Sequence, residues 1–295
     1  LGELEGLHHG TYREGMWWWN ARGYTPQGVE TWNSIRALDY LQSRPEVDGE
    51  KLGMTGRSGG GGYTWYTAAL DERVKAAVPV AGLTDLHNHV VDGTVAGHCD
   101  CMFFVNTFRW DYAKLAAMVA PRPLLFSNSD KDRIFPLDGV QRAHRDLARI
   151  YALHNASDKL GLLITEGPHK DTQELQVPAF RWFNRWLKGE EPLITVAAEK
   201  LFTPQQLKVF PVGQLPRDQR TTKIHETFVP MDSSANNVDV HLLRLGMQGK
   251  AELGGMFDIT GELAAVPYAK VDGTIGSDQT STLYDFSVFP GGNIS

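Results

Sequence analysis

The sequence predicts an α/β protein with a doubly wound, mostly parallel sheet. Helical and strand-like hydrophobic periods alternate from about residue 26 to residue 189, as they do in this fold class. A glycine-rich turn follows the first strand of the series, and polar residues follow later strands. Functional groups in such folds collect where parallel strands end, so we expect a site at the carboxyl edge of the sheet.

The first helix is predicted from Pro26 to about Arg44, because proline suits the first turn of a helix and Pro45 then ends it. Its core-facing stripe is predicted to be Val29, Trp32, Ile35 and Leu38. The later elements are, in chain order, a strand at 51–55, a helix at 60–70, a strand at 73–81, a helix at 111–119, a strand at 123–127, a helix at 138–153, a strand at 159–165 and a helix at 173–188. Residues 82–110 are too long for an ordinary connection and predict a lid or pocket wall.

Two regions of different character are predicted along the chain. Residues 1–192 are expected to form a catalytic domain, because the alternating pattern lies within them. Residues 193–295 are expected to form a C-terminal extension, an irregular appendage with scattered Gly, Pro and Asp and weak periodicity.

Composition and charge exclude several classes of function. The 295 residues are 42% hydrophobic and 22% charged, which is ordinary for a globular protein. A net charge of −6 without basic runs argues against a nucleic-acid partner. No stretch approaches the roughly 18 apolar residues of a membrane span. Cys99 and Cys101 are too close in sequence for disulfide bonds that would join distant segments. The sequence shows no signal segment, so a secreted, periplasmic or other location stays open. The oligomeric state stays open as well.

The strongest chemical signal is the segment Gly56–Gly60, a G-x-S-x-G pattern that follows an apolar strand and precedes a helix. In that context it predicts a nucleophile elbow, a sharp turn that raises a serine above the sheet in strained backbone geometry. We expect the absence of Cβ atoms at Gly56 and Gly60 to permit this turn. Ser58 is then the candidate nucleophile, and the Gly59 N–H is placed to face a developing oxyanion. The alternative is a plain glycine-rich turn or a phosphate cradle, but no lysine follows in P-loop spacing.

A serine hydroxyl needs a base and an orienting carboxylate, which in this kind of fold follow in the order acid, then histidine. The strand at 123–127 leads to Asp130 and Asp132. Both are candidates for the acid, and Asp132 is favoured by its place in the loop before the next helix. The following strand leads to a Gly-Pro turn and His169, which is the candidate base.

Several ordered blocks resemble the α/β-hydrolase superfamily, and within it the acetylxylan-esterase-like branch related to prolyl-oligopeptidase-type hydrolases. The resemblance covers about residues 1–190. Its blocks are Gly56–Gly60, Leu70–Pro79, Ala120–Leu125, Asp132–Pro136 and Gly167–His169. The resemblance implies Ser58 as nucleophile, Asp132 as acid and His169 as base, in a hydrolysis through an acyl-enzyme that needs neither metal nor cofactor.

The N-terminal part of the chain departs from the family pattern. Members have several strands before the nucleophile strand, and a loop after an early strand that supplies a second oxyanion N–H. Only 57 residues precede Ser58, room for one helix and one strand. We therefore expect the N-terminal strands to be lacking, which exposes a sheet edge and leaves half an oxyanion hole. The segment His8–Gly10 resembles the missing loop but follows no strand.

Weaker signals concern substrate binding. Trp17 and Trp18 are candidates for stacking on a sugar ring, the alternative being core packing. The same aromatic group includes Tyr12, Trp19 and Tyr24. Arg57, beside the nucleophile, is a candidate for contact with substrate oxygen, the alternative being a solvated arginine.

His98 is a candidate for lining the pocket, since it lies within the long segment after the second strand. Its neighbours of metal-ligating type are His87, His89, Cys99, Asp100 and Cys101. Their spacing fits no closed zinc pattern, and the alternative is ordinary loop chemistry. No metal is expected.

The sequence thus predicts a serine carboxylic-ester hydrolase acting on a small-molecule or polysaccharide ester. The resemblance and the aromatic group favour short acyl esters, acetyl above all, of carbohydrates. Two alternatives stay open. One is a prolyl-oligopeptidase-like serine peptidase with the same triad, and the other is a catalytically impaired hydrolase fold that serves as a binding module.

Overall fold

The computed structural model describes the greater part of the chain. The described residues are 18–21, 23–94, 102, 106, 108–197, 201–210, 214, 216–218, 221–228, 251–253 and 257–259. They belong to two compact units, one of residues 27–219 and one of residues 1–26 together with 220–295. The predicted division into a catalytic domain and an extension at residue 193 stays a prediction.

Helices and strands alternate through the larger unit. The α-helices of the described residues are α1 (Trp18–Ala21), α2 (Pro26–Ser43), α3 (Gly59–Leu70), α4 (Tyr112–Ala116), α5 (Leu137–Leu153) and α6 (Gln173–Phe183). The strands are β1 (Leu52–Arg57), β2 (Val74–Val80), β3 (Leu124–Ser129), β4 (Leu160–Thr165), β5 (Ala251–Leu253) and β6 (Phe257–Ile259). Short 3₁₀ turns occupy Ala117–Val119, Ser157–Lys159 and Thr221–Thr227, and π-helical turns occupy His87–Val91 and Asn184–Lys188. Every element predicted between residues 26 and 189 is present. The bounds are shifted by at most about two residues when the 3₁₀ turn that continues α4 and the π-helical turn that continues α6 are counted with those helices.

Four parallel strands form one sheet in the order β1-β2-β3-β4. All six residues of the inner strand β3 are buried, because helices cover both of its faces. Those of β4, at one edge, are only half-buried. Within the described residues β1 is the other edge strand, and the expected loss of earlier strands concerns residues outside them. All four strands end at the same edge, so the loops that follow them meet there.

The core has two layers, one on each face of the sheet. On one face Trp65 of α3 and Leu147 of α5 are fully buried together with Leu124 of β3. On the other face Leu175 of α6 packs against Val78 of β2. The fold class predicted from the alternating pattern is therefore confirmed. None of the described helices combines the length and apolar character that crossing a membrane requires.

The predicted core face of α2 is wrong at one position. Trp32 is 57% exposed, and the Arg36 guanidinium lies 4.2 Å from the centre of its ring. The buried positions of the helix include Thr31 and Leu38, and the Gln27 amide donates to the Thr31 hydroxyl at 2.8 Å. The buried face of α2 therefore includes Thr31 rather than Trp32. A pattern of apolar residues could not predict this, because polar residues that hydrogen-bond to each other can be buried too.

In the smaller unit, aromatic side chains near the start of the chain pack onto a later residue. Trp19 is buried and meets Phe228 edge-on with ring centres 4.9 Å apart. Tyr24 stacks on Phe228 at 4.1 Å. For Trp19 and Tyr24 the core-packing alternative is therefore correct. The strands β5 and β6 pair in antiparallel fashion within the same unit.

The backbone of the first turn of α3 is in direct contact with the backbone at the end of β2. A Cβ added at Gly61 would lie 2.6 Å from the Val80 carbonyl oxygen and 2.8 Å from the Gly82 Cα. A Cβ added at Gly82 would lie 2.3 Å from the Gly61 carbonyl carbon. The helix begins with four consecutive glycines, which weaken it by about 1 kcal/mol each relative to alanine, and this contact accounts for Gly61 among them.

We predict that Gly61→Ala lowers the free energy of unfolding by about 1–3 kcal/mol, the usual cost of forcing extra atoms into a packed site. The atoms nearest the new Cβ are backbone atoms of Val80 and Gly82, which cannot rotate away as a side chain would. Urea unfolding followed by circular dichroism measures the change.

The matched control is Gly60→Ala, one residue earlier in the same turn, where nothing lies within 4 Å of the added Cβ. This variant is expected to gain about 0.5–1 kcal/mol of unfolding free energy from helix propensity. Equal stability of the two variants would contradict the close contact.

Candidate active site

The turn at Ser58 joins β1 to α3 in a strained backbone conformation. Its φ is 58° and its ψ is −120°, which costs a residue other than glycine about 1–3 kcal/mol. Two backbone hydrogen bonds hold the turn. The Ser58 N–H donates to the Val80 carbonyl at 2.9 Å, and the Ser58 carbonyl accepts from the Gly62 N–H at 2.9 Å. The structure therefore has the local geometry that the G-x-S-x-G pattern predicts.

The Ser58 hydroxyl is not used to cap its own helix. A serine before a helix commonly accepts a hydrogen bond from the second or third helical N–H, but Ser58 makes no such bond. The hydroxyl has no hydrogen-bond partner among the described residues. The first N–H groups of a helix lack partners within it, so that of Gly59 points outward at the positive end of the α3 dipole. The Ser58 hydroxyl and a backbone N–H that has no partner within its own helix are thus adjacent.

Of the two glycines predicted to permit the turn at Ser58, the structure requires Gly56 but not Gly60. A Cβ added at Gly56 would lie 2.5 Å from the Gly60 carbonyl oxygen, so glycine is required at that position. A Cβ added at Gly60 would meet nothing within 4 Å. The prediction that Gly60 must lack a side chain is therefore wrong. It is the Gly60 backbone that has to approach Gly56.

The Asp132 carboxylate lies against the His169 ring. The Asp132 Oδ2 and the His169 Nδ1 are 2.7 Å apart. The other carboxylate oxygen, Oδ1, accepts the N–H groups of Ile134 at 2.8 Å and Phe135 at 2.9 Å. The Asp132 side chain is fully buried, and every hydrogen bond named here suits its ionised form. The carboxylate is consequently fixed in one orientation.

The His169 ring is held on two sides. Asp132 fixes its Nδ1, and the Phe135 ring stacks on it with centres 5.8 Å apart and planes 23° from parallel. Its side chain is 16% exposed. An ionised carboxylate accepts only, so a neutral ring carries its proton on Nδ1 and has a lone pair on Nε2. Nε2 has no hydrogen-bond partner among the described residues.

Asp130 lies elsewhere in the same loop. It is exposed, and its Oδ1 accepts the Gly167 N–H at 2.8 Å. The two carboxylates that the sequence left open as candidates are therefore separated by geometry. Asp132 is the one that contacts His169.

The three loops of the site leave three strands of one sheet. Ser58 follows β1, Asp132 follows β3 and His169 follows β4. Neighbouring strands lie about 4.8 Å apart, which puts β1 and β3 about 10 Å from each other. No hydrogen bond joins Ser58 to His169 in the described part of the chain. Such contacts are often long before substrate binds and tighten in the complex.

The sequence-predicted binding residues fall in different places. Arg57 is the last residue of β1 and is exposed. Trp17, His98 and the segment His8–Gly10 lie outside the described residues, and of Trp18 only the backbone, in α1, is described. Among the described residues no group of three or more His, Cys, Asp or Glu side chains is arranged to hold a metal ion.

An ion pair that the sequence did not predict joins the segment after β2 to α5. Arg142 of α5 donates to the Asp85 carboxylate, and also to Asp138 at 2.7 Å. Burial raises the pKa of Asp85, but the hydrogen bonds from Arg142 and from the Asn88 N–H outweigh it, so the pKa lies below its usual range. A depressed pKa in the folded state means that the pair stabilises above about pH 4 and loses this contribution on further acidification. The partners are 57 residues apart, and no sequence pattern links them.

Comparisons with known proteins indicate the family of the chain. The sequence model of the prolyl oligopeptidase family matches residues 8–189. YtaP of Bacillus subtilis (strain 168), which its name assigns to the hydrolases, is 30% identical over 162 residues, or 54% of either chain. The acetyl esterase Axe7A of Xylanibacter ruminicola is 39% identical over 66 residues, 22% of this chain and 13% of that protein. The chain thus spans about half the length of YtaP and a smaller part of Axe7A.

A solved structure shares the fold. A glucuronoyl esterase of carbohydrate esterase family 15 from Caldicellulosiruptor kristjansonii superposes with a TM-score of 0.50. The two are 20% identical, over 62% of this chain and 56% of that chain. At this level of identity the likeness concerns the fold alone.

We predict that Asp132→Asn changes the tautomer of His169. The amide oxygen takes over the bonds from Ile134 and Phe135, which turns the amide N–H₂ toward Nδ1. A neutral ring must then accept at Nδ1 and carry its proton on Nε2. Nitrogen-15 NMR of histidine-labelled protein distinguishes the two tautomers.

The control for this change is Asp146→Asn, which alters an exposed aspartate of α5 whose partner is Arg149 at 3.4 Å. It should leave the His169 nitrogen shifts unchanged. A proton that stays on Nδ1 in Asp132→Asn would contradict the assigned contact.

Proposed function

The chain belongs to the prolyl oligopeptidase family, and from this membership together with the site geometry we propose that it is a serine hydrolase of carboxylic esters. Ser58 is the proposed nucleophile, His169 the base, Asp132 the orienting acid and Gly59 the oxyanion donor. The proposed substrates are short acyl esters, above all acetyl esters, of carbohydrates. The observation that carries the proposal is the contact between the Asp132 carboxylate and the His169 Nδ1 at the sheet edge where Ser58 is strained.

In the first half of the reaction Ser58 Oγ attacks the ester carbonyl carbon, and its proton passes to His169 Nε2. Asp132 stabilises the imidazolium that forms, because the buried carboxylate already faces Nδ1. The Gly59 N–H stabilises the negative charge on the carbonyl oxygen. The bond to the alcohol oxygen then breaks, the proton on Nε2 goes to the leaving alkoxide, and the acyl group stays on Ser58.

In the second half water takes the place of the alcohol. His169 Nε2 accepts a proton from the water while its oxygen attacks the acyl carbon. The same N–H stabilises the second oxyanion. The bond to Ser58 Oγ breaks, Oγ regains its proton from Nε2, and the free acid leaves. Both halves use one base in two directions, which requires His169 to keep a fixed place beside Ser58.

Similarity to an acetyl esterase supports an ester with a short acyl group as the substrate. The resemblance of the sequence to acetylxylan-esterase-like hydrolases supports a carbohydrate as the alcohol portion. Arg57 next to the nucleophile is the proposed contact for substrate oxygen, together with Trp17, Trp18 and His98 from the sequence analysis.

A second candidate function is that of a serine peptidase. The family match favours it, because the family is named for an oligopeptidase and the same three residues would carry the reaction. The two candidates differ in the leaving group, which is an alkoxide in an ester and an amine in a peptide. A third reading, a hydrolase fold that only binds its ligand, predicts no turnover of either substrate.

The proposal predicts that the protein hydrolyses p-nitrophenyl acetate faster than a proline-containing peptide amide. Ser58→Ala should lower kcat for the acetate by about 10⁴–10⁶-fold, as removal of a serine nucleophile does in other enzymes. Absorbance of p-nitrophenol and release of the amine measure the two activities.

Ser157→Ala, an exposed serine in a 3₁₀ turn, is the matched control and should keep the wild-type rate. Faster cleavage of the amide would establish the peptidase instead. Equal rates for wild type and Ser58→Ala would refute the nucleophile.

A further inference from the structure

The loops after β3 and β4 are joined beyond the end of the sheet by a clasp of three hydrogen bonds. The Asp130 N–H donates to the Thr165 carbonyl at 2.9 Å, and the Lys131 N–H donates to the Gly167 carbonyl at 3.0 Å. The third bond comes from a side chain, because Asp130 Oδ1 accepts the Gly167 N–H at 2.8 Å. Gly167 is thus held through both its N–H and its carbonyl group.

The clasp lies two residues before His169 on one loop and two residues before Asp132 on the other. Gly167 has a φ of +131°, which residues with side chains rarely adopt. Pro168 has its φ fixed near −65° by its ring. Little freedom therefore remains between the anchored Gly167 and the His169 ring, whose Nδ1 must reach Asp132 at 2.7 Å.

We propose that Asp130 is a positioning residue that sets the place of His169 by binding the Gly167 N–H. Asp130 is exposed and does not contact His169, so it acts through Gly167 and Pro168. This inference rests on the proposed function, in which His169 passes protons to and from Ser58. The loop after β3 then carries two carboxylates with different roles. Asp132 orients the His169 ring, and Asp130 positions the loop on which His169 lies.

A second side-chain link between the same loops provides a matched control. Lys131 Nζ lies 2.8 Å from Glu166 Oε1, with side chains that are 62% and 83% exposed. Exposed ion pairs between flexible side chains do little to fix the positions of the loops that carry them. This pair binds no backbone group of the His169 loop, unlike Asp130. Its removal tests whether any link between the loops matters or only the one to Gly167.

The test compares Asp130→Ala, Asp130→Asn and Lys131→Met by steady-state hydrolysis of p-nitrophenyl acetate. Asp130→Ala should lower kcat about tenfold at unchanged KM, since two backbone bonds of the clasp persist and a full 1 Å misplacement costs about a hundredfold. Asp130→Asn keeps an acceptor oxygen and should stay within about threefold of wild type. Lys131→Met should match wild type.

A wild-type kcat in Asp130→Ala would overturn the proposal. So would a tenfold loss in Asp130→Asn, or a loss in Asp130→Ala as large as that in His169→Ala. The first would show that the bond to Gly167 does not matter, and the others would show that the Asp130 charge itself takes part in the chemistry.

Proton NMR of the His169 ring separates this inference from the proposed function. The Nδ1 proton in the hydrogen bond to Asp132 should give a downfield signal in wild type and in Asp130→Asn, and should be lost to exchange in Asp130→Ala. Persistence of the signal in Asp130→Ala would overturn the role of Asp130 whether or not esters are cleaved. Failure of wild type to hydrolyse any ester would overturn the proposed function and leave this readout intact.

Discussion

The backbone contact between Gly61 and Gly82 is the constraint on which the turn at Ser58 depends. It lets α3 start directly over the end of β2, so that the chain between β1 and α3 has room for only one residue of turn. Ser58 occupies that position with a φ of 58°. The packed sheet and helix on either side hold Ser58 in this strained conformation, which an isolated turn would not keep.

The opposite half of the site is built from hydrogen bonds. Because β3 and β4 pair in register up to Ser129 and Thr165, the loops that follow leave the sheet side by side. Asp132 is buried by its bonds to backbone N–H groups, and it presents its remaining oxygen to His169. The electrostatic consequence is a carboxylate that needs no reorganisation when the imidazole becomes charged. A rigid turn at Ser58 on one side and a fixed His169 ring on the other are the two structural elements on which the proposed chemistry depends.

Sequence reasoning reached the order of elements and the three loops, because hydrophobic periods and the G-x-S-x-G turn are local signals. It favoured Asp132 over Asp130 without settling the choice, since both follow the same strand and only the turn to Ile134 and Phe135 decides which one is buried. It misassigned Gly60, because only the three-dimensional turn decides that a Cβ at Gly56 would meet the Gly60 backbone while a Cβ at Gly60 would meet nothing within 4 Å. Contacts between distant positions, such as Asp85 with Arg142, leave no local pattern to read.

The proposed reaction requires a serine made reactive by a histidine that lies far from it in sequence, and labelling by a fluorophosphonate probe tests this requirement most directly. Intact-mass and peptide mass spectrometry should find one adduct, on Ser58, in the wild-type protein and none in Ser58→Ala. His169→Ala should be labelled far more slowly than wild type. Equal labelling of all three proteins, or an adduct on another residue, would contradict the account.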